Sequence, residues 1–352
     1  MIRVVFSVVV AFTGLVIVSC TKEQQAAVPD EVVQFQVPSN FPTPVYDLAT
    51  YPVTKDGFLL GRRLFYDGIL SRNGTISCGF CHEQGSAFTH HGHDISHGID
   101  DRLGRRNAPP IQNMAWYKEF MWDGGINNLD LQPIAPITAH EEMDEDLGNV
   151  LEKLRKHKDY PGLFKKAYGD DNITTARFLK ALSQFMNMLV SAGSKYDRVM
   201  RKEANARFSP DEEAGYQLFK TNCSGCHTEP LFTDLSYRDN GLGITPNDDK
   251  GRYEVTLREQ DKYTFKVPSL RNVMLTAPYM HNGSIRNIDG VLEHYTHGIQ
   301  ATPNLDPLLK DTLTGKPKKI KLSDTEKAQL KAFLHTLSDE GFVRNRLFSD
   351  PF

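Results

Sequence analysis

Two short stretches of this 352-residue chain carry reactive side chains at a spacing that says which chemistry they could do. Cys78-Gly79-Phe80-Cys81-His82 and Cys223-Ser224-Gly225-Cys226-His227 each set two thiols three positions apart, with a histidine directly after the second. Each thiol can add to one vinyl group of a haem, and the turn between them brings the next imidazole beneath the iron, so the pattern is that of c-type haem attachment. Cys/His clusters also hold zinc. Zinc pairs usually lie closer together and rarely carry His directly after the second Cys, which favours two covalent c-type haems.

The remaining cysteine, Cys20, closes an apolar run from Val4 to Val18 that follows a single basic residue, Arg3. The run is short for a membrane span, and its layout is that of an export signal over residues 1–19. The residues just before Cys20 match a lipoprotein processing site, which predicts a lipid anchor on Cys20 and a membrane-tethered protein in the periplasm. An ordinary signal peptide that happens to contain cysteine is the alternative. Of five cysteines one goes to lipid and four to haem, so no disulfide is expected. The formal charge of −3 with no basic run argues against nucleic acid as a partner.

The elements that must hold the two motifs read as helices. Residues 20–44 are rich in Lys, Glu, Gln, Ala, Pro and Ser and read as a tether. Leu59, Leu60, Leu64 and Phe65 give a helical apolar spacing that leads into the first motif, and Phe178, Leu182, Phe185 and Leu189 repeat it downstream. Ser209-Pro210-Asp211-Glu212 is a capping box with proline at the first helical position, opening a helix into the second motif. Ser323 with Glu326 opens a closing helix that carries Leu330, Phe333, Leu334 and Leu337. Helix, haem motif, long loop, ligand helix and closing helix, seen twice, predict a mainly α chain of two tandem cytochrome c-like domains. An N-terminal haem domain is expected over residues 45–192 and a C-terminal one over residues 193–345.

The residues around the motifs resemble the bacterial di-haem cytochrome c peroxidases and the related MauG-type enzymes over about residues 55 to 340. The resemblance rests on Leu70-Ser71-Arg72, Arg106-Asn107-Ala108-Pro109, Trp122-Asp123-Gly124, Gln132 and Glu142-Met143 in the first half. In the second half it rests on Phe265 to Asn272 and on Thr276-Ala277-Pro278-Tyr279-Met280-His281-Asn282-Gly283. It implies that the N-terminal haem is the peroxide site, that the C-terminal haem receives and stores an electron, and that a calcium ion sits between the domains.

Peroxide chemistry needs a group that takes a proton from one oxygen and returns it to the other, beside an iron with an open position. Glu142 matches the family's distal glutamate and Gln132 the glutamine that helps hold peroxide or water, with Glu141 the nearby rival. Many relatives fill the open position at rest with a loop histidine. His97 is the best match, although the loop is longer than in typical peroxidases and also holds His90, His91 and His93. At the second haem the expected methionine is replaced by Tyr295, which shares a helical apolar face with Ile288, Val291 and Leu292 and matches MauG-type proteins; Met274 and Met280 remain possible sulfur ligands. Trp122 matches the tryptophan that bridges the haems. Asn107, through its side chain, with the carbonyls of Thr276 and Pro278, matches the calcium site.

These residues point first to reduction of hydrogen peroxide to water with electrons from a small cytochrome c or cupredoxin, in a protein that could be a homodimer. A MauG-like enzyme oxidising side chains of a partner protein through high-valent iron is the second reading, kept open by Tyr295. A non-enzymatic electron-transfer protein is the third, and Glu142 and Gln132 speak against it.

Overall fold

The computed structural model describes residues 33–352, so the expected export signal and Cys20 lie outside the described residues. Helices α1 (Lys55–Tyr66), α2 (Cys78–Cys81), α3 (Ile134–Thr138), α4 (Leu147–Lys156), α5 (Tyr160–Tyr168) and α6 (Thr175–Met188) build the first half. The Thr54 side chain starts α1 by accepting the Gly57 N–H. Apolar residues at helical spacing then turn Phe58, Leu64 and Phe65 inward against Phe185 of α6, with the Phe58 and Phe65 rings 5.7 and 4.9 Å from it. The helices can press together because position 61 is glycine: a Cβ there would stand 1.9 Å from the Ala181 carbonyl oxygen.

The second half repeats the device with different residues. Its helices are α7 (Lys195–Met200), α8 (Pro210–Asn222), α9 (Tyr253–Thr256), α10 (Ile288–Glu293), α11 (Asp324–His335) and α12 (Glu340–Val343). The capping boxes expected at Ser209 and Ser323 are both formed, and a third opens α7 at Ser194 with Asp197. Gly215 of α8 lets that helix close on α11, where a Cβ would come within 2.0 Å of the Gln329 carbonyl oxygen. Phe219 and Phe333 meet across this contact at 5.2 Å. Among the described residues the one pair of strands is antiparallel and two residues long, β1 (Tyr237–Arg238) and β2 (Phe265–Lys266), with Tyr237 opposite Lys266. The chain is therefore mainly helical, with the second haem motif directly after α8 of the packed pair α8 and α11 and the first on its own turn, α2, a short loop after α1 of the pair α1 and α6.

Buried polar contacts around Arg271 brace the second half and join it to the first. Arg271, fully buried, makes two 2.8 Å bonds to Asp197, which is fully buried as well. Burial works against the Asp197 carboxylate, and the Arg271 guanidinium overrides it, so the group stays below its usual carboxylate range. Gln112 of the first half donates to the Arg271 carbonyl at 2.7 Å and accepts from Asn272 at 2.5 Å. The Pro268–Asn272 stretch that carried the family resemblance is thus the hub between the halves.

Two segments pack where sequence alone suggested otherwise. Residues 33–44, expected as the end of a tether, lie on the body: Phe41 meets Trp116 edge-on at 5.1 Å, and Trp116 Nε1 donates to the Pro42 carbonyl. Phe35 and Phe41 bury without any helical period, so the stretch reads as polar while still holding apolar anchors. After α11 the chain returns to the first half, where Phe342, Leu347 and Phe348 join its core and Tyr66 Oη donates to the Phe348 carbonyl at 2.7 Å.

Candidate active site at two haem-attachment motifs

At the first motif, α2 is a single turn that puts Cys78 and Cys81 on neighbouring sides of the chain, both as free thiols. Burial pushes each thiol up to about 12. His82 Nδ1 lies 2.8 Å from the Phe88 carbonyl oxygen, the position of a donated N–H, which leaves Nε2 as the lone-pair nitrogen. Burial lowers this imidazole to about 4 and keeps it neutral, the form that ligates iron. The residues present therefore fit a covalent haem with His82 as its proximal ligand.

Glu142 stands close enough to both thiols for its charge to act on them. Burial first, and then the charge of exposed Glu141, holds its carboxyl above the ordinary glutamate value, while a hydrogen bond with Ser96 pulls the other way. Its backbone is pinned by the loop that carries His97. The Ile99 N–H donates to the Glu142 carbonyl at 2.7 Å, and a Cβ on Gly98 would fall 2.5 Å from Glu142 Cα. An ion cluster of Arg72 and Arg102 with Asp100 and Asp144 ties the same loop to the far side of Glu142.

Gln132 precedes α3 and Glu142 follows it, so the two flank one short helix; no hydrogen bond joins them, and Gln132 Nε2 points to Met121 Sδ at 3.8 Å. The His97 carbonyl faces the Cys81 thiol at 3.6 Å, which lays its loop over the attachment site. Its imidazole pairs at 3.3 Å with exposed Asp101 and stacks toward His93. Among the described residues no cluster of three His, Cys, Asp or Glu side chains is arranged to hold a bare metal ion, the histidines of this loop included.

At the second motif a largely apolar cavity opens over Cys223, Cys226 and His227, walled by Val273, Ile288, Leu292 and Leu334. His227 Nδ1 faces the carbonyls of Phe232 and Pro268 at 3.2 and 3.1 Å, again leaving Nε2 for a metal. Burial lowers this imidazole too. Tyr295 reaches the cavity from a π-helical turn, His294–Gly298, that continues α10. Its i→i+5 winding shifts the register at the point where a ligand would be presented. Met280 lines the same cavity, as does Met274's neighbour Val273. These walls fit a second covalent haem.

The first half supplies part of that cavity. Trp122 lines it and donates from Nε1 to the Asn107 carbonyl at 2.8 Å, and the Asn107 N–H donates in turn to the His281 carbonyl at 2.7 Å. Asn107, Thr276 and Pro278, the residues matched to calcium, share this wall. Asn107 Nδ2 is committed to the carbonyls of His93 and Asp94, which leaves Oδ1 as the oxygen for a cation and fits the oxygen preference of calcium.

Asn240 at the second site escaped the reading of the sequence, and Ser96 and Gly98 entered it only as the setting of His97. The Ser96-His97-Gly98 triplet held a signal, since a glycine beside a histidine marks a close backbone approach. Asn240 had none, because its partners lie far along the chain.

A sequence profile for di-haem cytochrome c peroxidase matches residues 55–205, and one for cytochrome c matches residues 212–338. The chain is 33% identical over 313 residues to the methylamine utilization protein MauG of Methylophilus methylotrophus, covering 86% of this chain and 88% of that one. It is 35% identical over 249 residues to the cytochrome c551 peroxidase of Nitrosomonas europaea, covering 70% and 74%. A solved MauG-like protein associated with microbial copper homeostasis superposes with a TM-score of 0.78 at 32% identity, over 90% of this chain and 99% of that one. With two cytochrome c-related domains and a complete attachment site for a c-type haem in each, the chain belongs to the di-haem cytochrome c peroxidase and MauG family of oxidoreductases.

Proposed function

We propose that this protein reduces hydrogen peroxide to water, using two protons and two electrons per peroxide and drawing the electrons from a small cytochrome c or cupredoxin. The observation that carries this reading is Glu142: a carboxyl beside the first attachment motif, desolvated, with raised proton affinity and a backbone locked by the Gly98 loop. The haem, when bound, supplies the metal at which the O–O bond is cleaved. Glu142 takes a proton from the oxygen nearer the metal and returns it to the departing oxygen, which leaves as water. Gln132 holds peroxide or water by its amide from the other end of α3. Trp122 is the bridge between the two haems, its Nε1 hydrogen bond fixing the indole on the wall of the second cavity.

Calcium at Asn107, Thr276 and Pro278 would brace that wall. Export to the periplasm, lipid on Cys20 and pairing as a homodimer belong to the same proposal, with His97 a resting ligand of the first iron.

A second reading, oxidation of side chains on a partner protein, draws support from Tyr295 on the cavity wall and from the identity to MauG. Peroxide turnover by the holo-protein separates the two, and Glu142→Gln tests the residue that carries the first. Peroxide turnover with a reduced donor is expected to fall by about 10²-fold, the scale of a lost acid–base group, with both haem spectra unchanged. Turnover equal to that of the parent would remove Glu142 from the chemistry. Negligible peroxide turnover in the parent, with covalent change in a co-purifying protein, would favour the second reading.

A further inference from the structure

Asn240 follows β1 and lines the second cavity together with Met280 and Tyr295, the two residues that could ligate the iron opposite His227. Its Oδ1 accepts the Leu242 N–H at 3.2 Å, which decides that the nitrogen end of the amide faces the cavity. Nδ2 lies 3.3 Å from Met280 Sδ, and Tyr295 lines the same cavity, where burial opposes the ionised phenol and the nearby Asn240 amide favours it. The Asn240 carbonyl takes Nε2 of His294, the residue before Tyr295, at 3.0 Å. The loop is also fastened to the chain just past the π-helical turn, since the Gln300 N–H donates to the Gly241 carbonyl at 2.8 Å. One residue thus contacts the competing thioether, fixes the residue before the phenol and shares the phenol's cavity.

An amide NH₂ carries two donor hydrogens and no acceptor, so it treats the two ligand atoms unequally. Thioether sulfur is a weak acceptor, whereas a bond to an anionic oxygen is charge-assisted and roughly twice as strong as a neutral one. A metal that draws charge onto the phenol oxygen would favour a bond donated to it by the Asn240 amide; a metal that takes the sulfur gains nothing comparable. Met280 is meanwhile kept in a left-handed backbone conformation, φ 72°, with its sulfur already turned to Nδ2.

We propose that Asn240 is the positioning residue that selects Tyr295 oxygen over Met280 sulfur as the distal ligand of the second haem. The proposal rests on the reading that Tyr295 ligates that iron. Asn240→Asp tests it in the holo-protein, because the new side chain keeps the oxygen that caps Leu242 and replaces the donor with an acceptor. In the ferric parent, resonance Raman should show phenolate-to-iron charge transfer. In Asn240→Asp this signature should be lost, the near-infrared band of sulfur-to-ferric charge transfer should appear, and the potential of the second haem should rise, as thioether ligation raises it. Adding Met280→Leu should remove the new band. Protein mass should report two covalent haems throughout; if Asn240→Asp fails that check, Asn240→Ser, too short to reach either atom, should give the same spectral change. An unchanged phenolate signature and potential in the variant would overturn the role of Asn240. A parent with no phenolate signature would overturn ligation by Tyr295 instead, a distinct result.

Discussion

Around Cys78–His82 the groups that close over the attachment site are polar and come from loops: Glu142, Ser96 and the His97 backbone, held by the Arg72, Arg102, Asp100 and Asp144 cluster. Around Cys223–His227 the walls are largely apolar, with Ile288, Leu292 and Leu334 from helices, and polar groups such as Tyr295, Asn240, Arg238 and Lys266 lie among them. Both motifs sit on the same helix-pair frame, one closed by Gly61 and the other by Gly215. A carboxyl with raised proton affinity suits chemistry in which protons move. An apolar cavity with a phenol suits a centre whose charge changes while protons stay out. Under the proposed function, the same scaffold serves two tasks according to what fills the space above each motif.

The largest expected effect would strike both sites together. Arg271→Met leaves the Asp197 carboxylate buried without its partner, which costs about 3–5 kcal/mol at neutral pH. Asp197 is held below its usual range in the folded parent, so its contribution is present above the unfolded carboxylate pKa and is lost as pH falls through the folded one. Chemical denaturation of the two proteins should therefore show a gap that narrows on acidification, since a protonated Asp197 no longer needs the guanidinium. A gap that stays constant with pH would mean that the loss is of packing and not of charge pairing.

A smaller effect should be confined to the first site. In Gly98→Ala the new Cβ would fall 2.2 Å from the Glu141 carbonyl oxygen and 2.5 Å from Glu142 Cα, so the segment carrying Glu142 must shift. Misplacement of a reacting group by about 1 Å costs up to roughly 10²-fold, and peroxide turnover should fall by roughly 10- to 100-fold. The potential and ferric spectrum of the second haem should be those of the parent. A matching disturbance at the second haem would show that the two sites are not as separable as their walls suggest.

What could be read from sequence was whatever local rules encode. The two Cys-x-x-Cys-His motifs, the capping boxes at Ser209 and Ser323 and the apolar period of α1 and α6 depend on neighbours a few positions apart, and all are formed. Tyr295 was placed on the correct face by its period with Ile288, Val291 and Leu292, all of which line the cavity, although the π-helical turn that carries it left no trace in that period. Residues 33–44 and the chain after α11 were misjudged or unread because their anchors, Phe41 and Phe348, bury against partners distant in sequence and obey no repeat. Asn240 is the extreme case. Its proposed role rests on contacts to Met280 and His294, 40 and 54 positions away, and an asparagine in a loop with glycines reads as a turn and nothing more.

The smallest effect tests the proton side of the contrast through Glu141. This residue is exposed, and its charge is the second cause, after burial, of the raised proton affinity of Glu142. Glu142 must be a carboxylate to take the first proton, so activity should fall as pH drops through its raised pKa, placing an acid limb in kcat/KM above the ordinary glutamate range. Glu141→Gln removes a negative neighbour, makes the Glu142 carboxylate easier to form and moves that limb to lower pH. The size follows from the surroundings: two charges across solvent interact by about 1 kcal/mol or less, and one pKa unit corresponds to about 1.4 kcal/mol, so the shift should be less than about one unit. Turnover on the plateau should be unchanged, because Glu141 touches no reacting atom. A limb that moves to higher pH, or a plateau that falls as it does in Glu142→Gln, would exchange the roles of the two glutamates and with them the identity of the group that handles the proton.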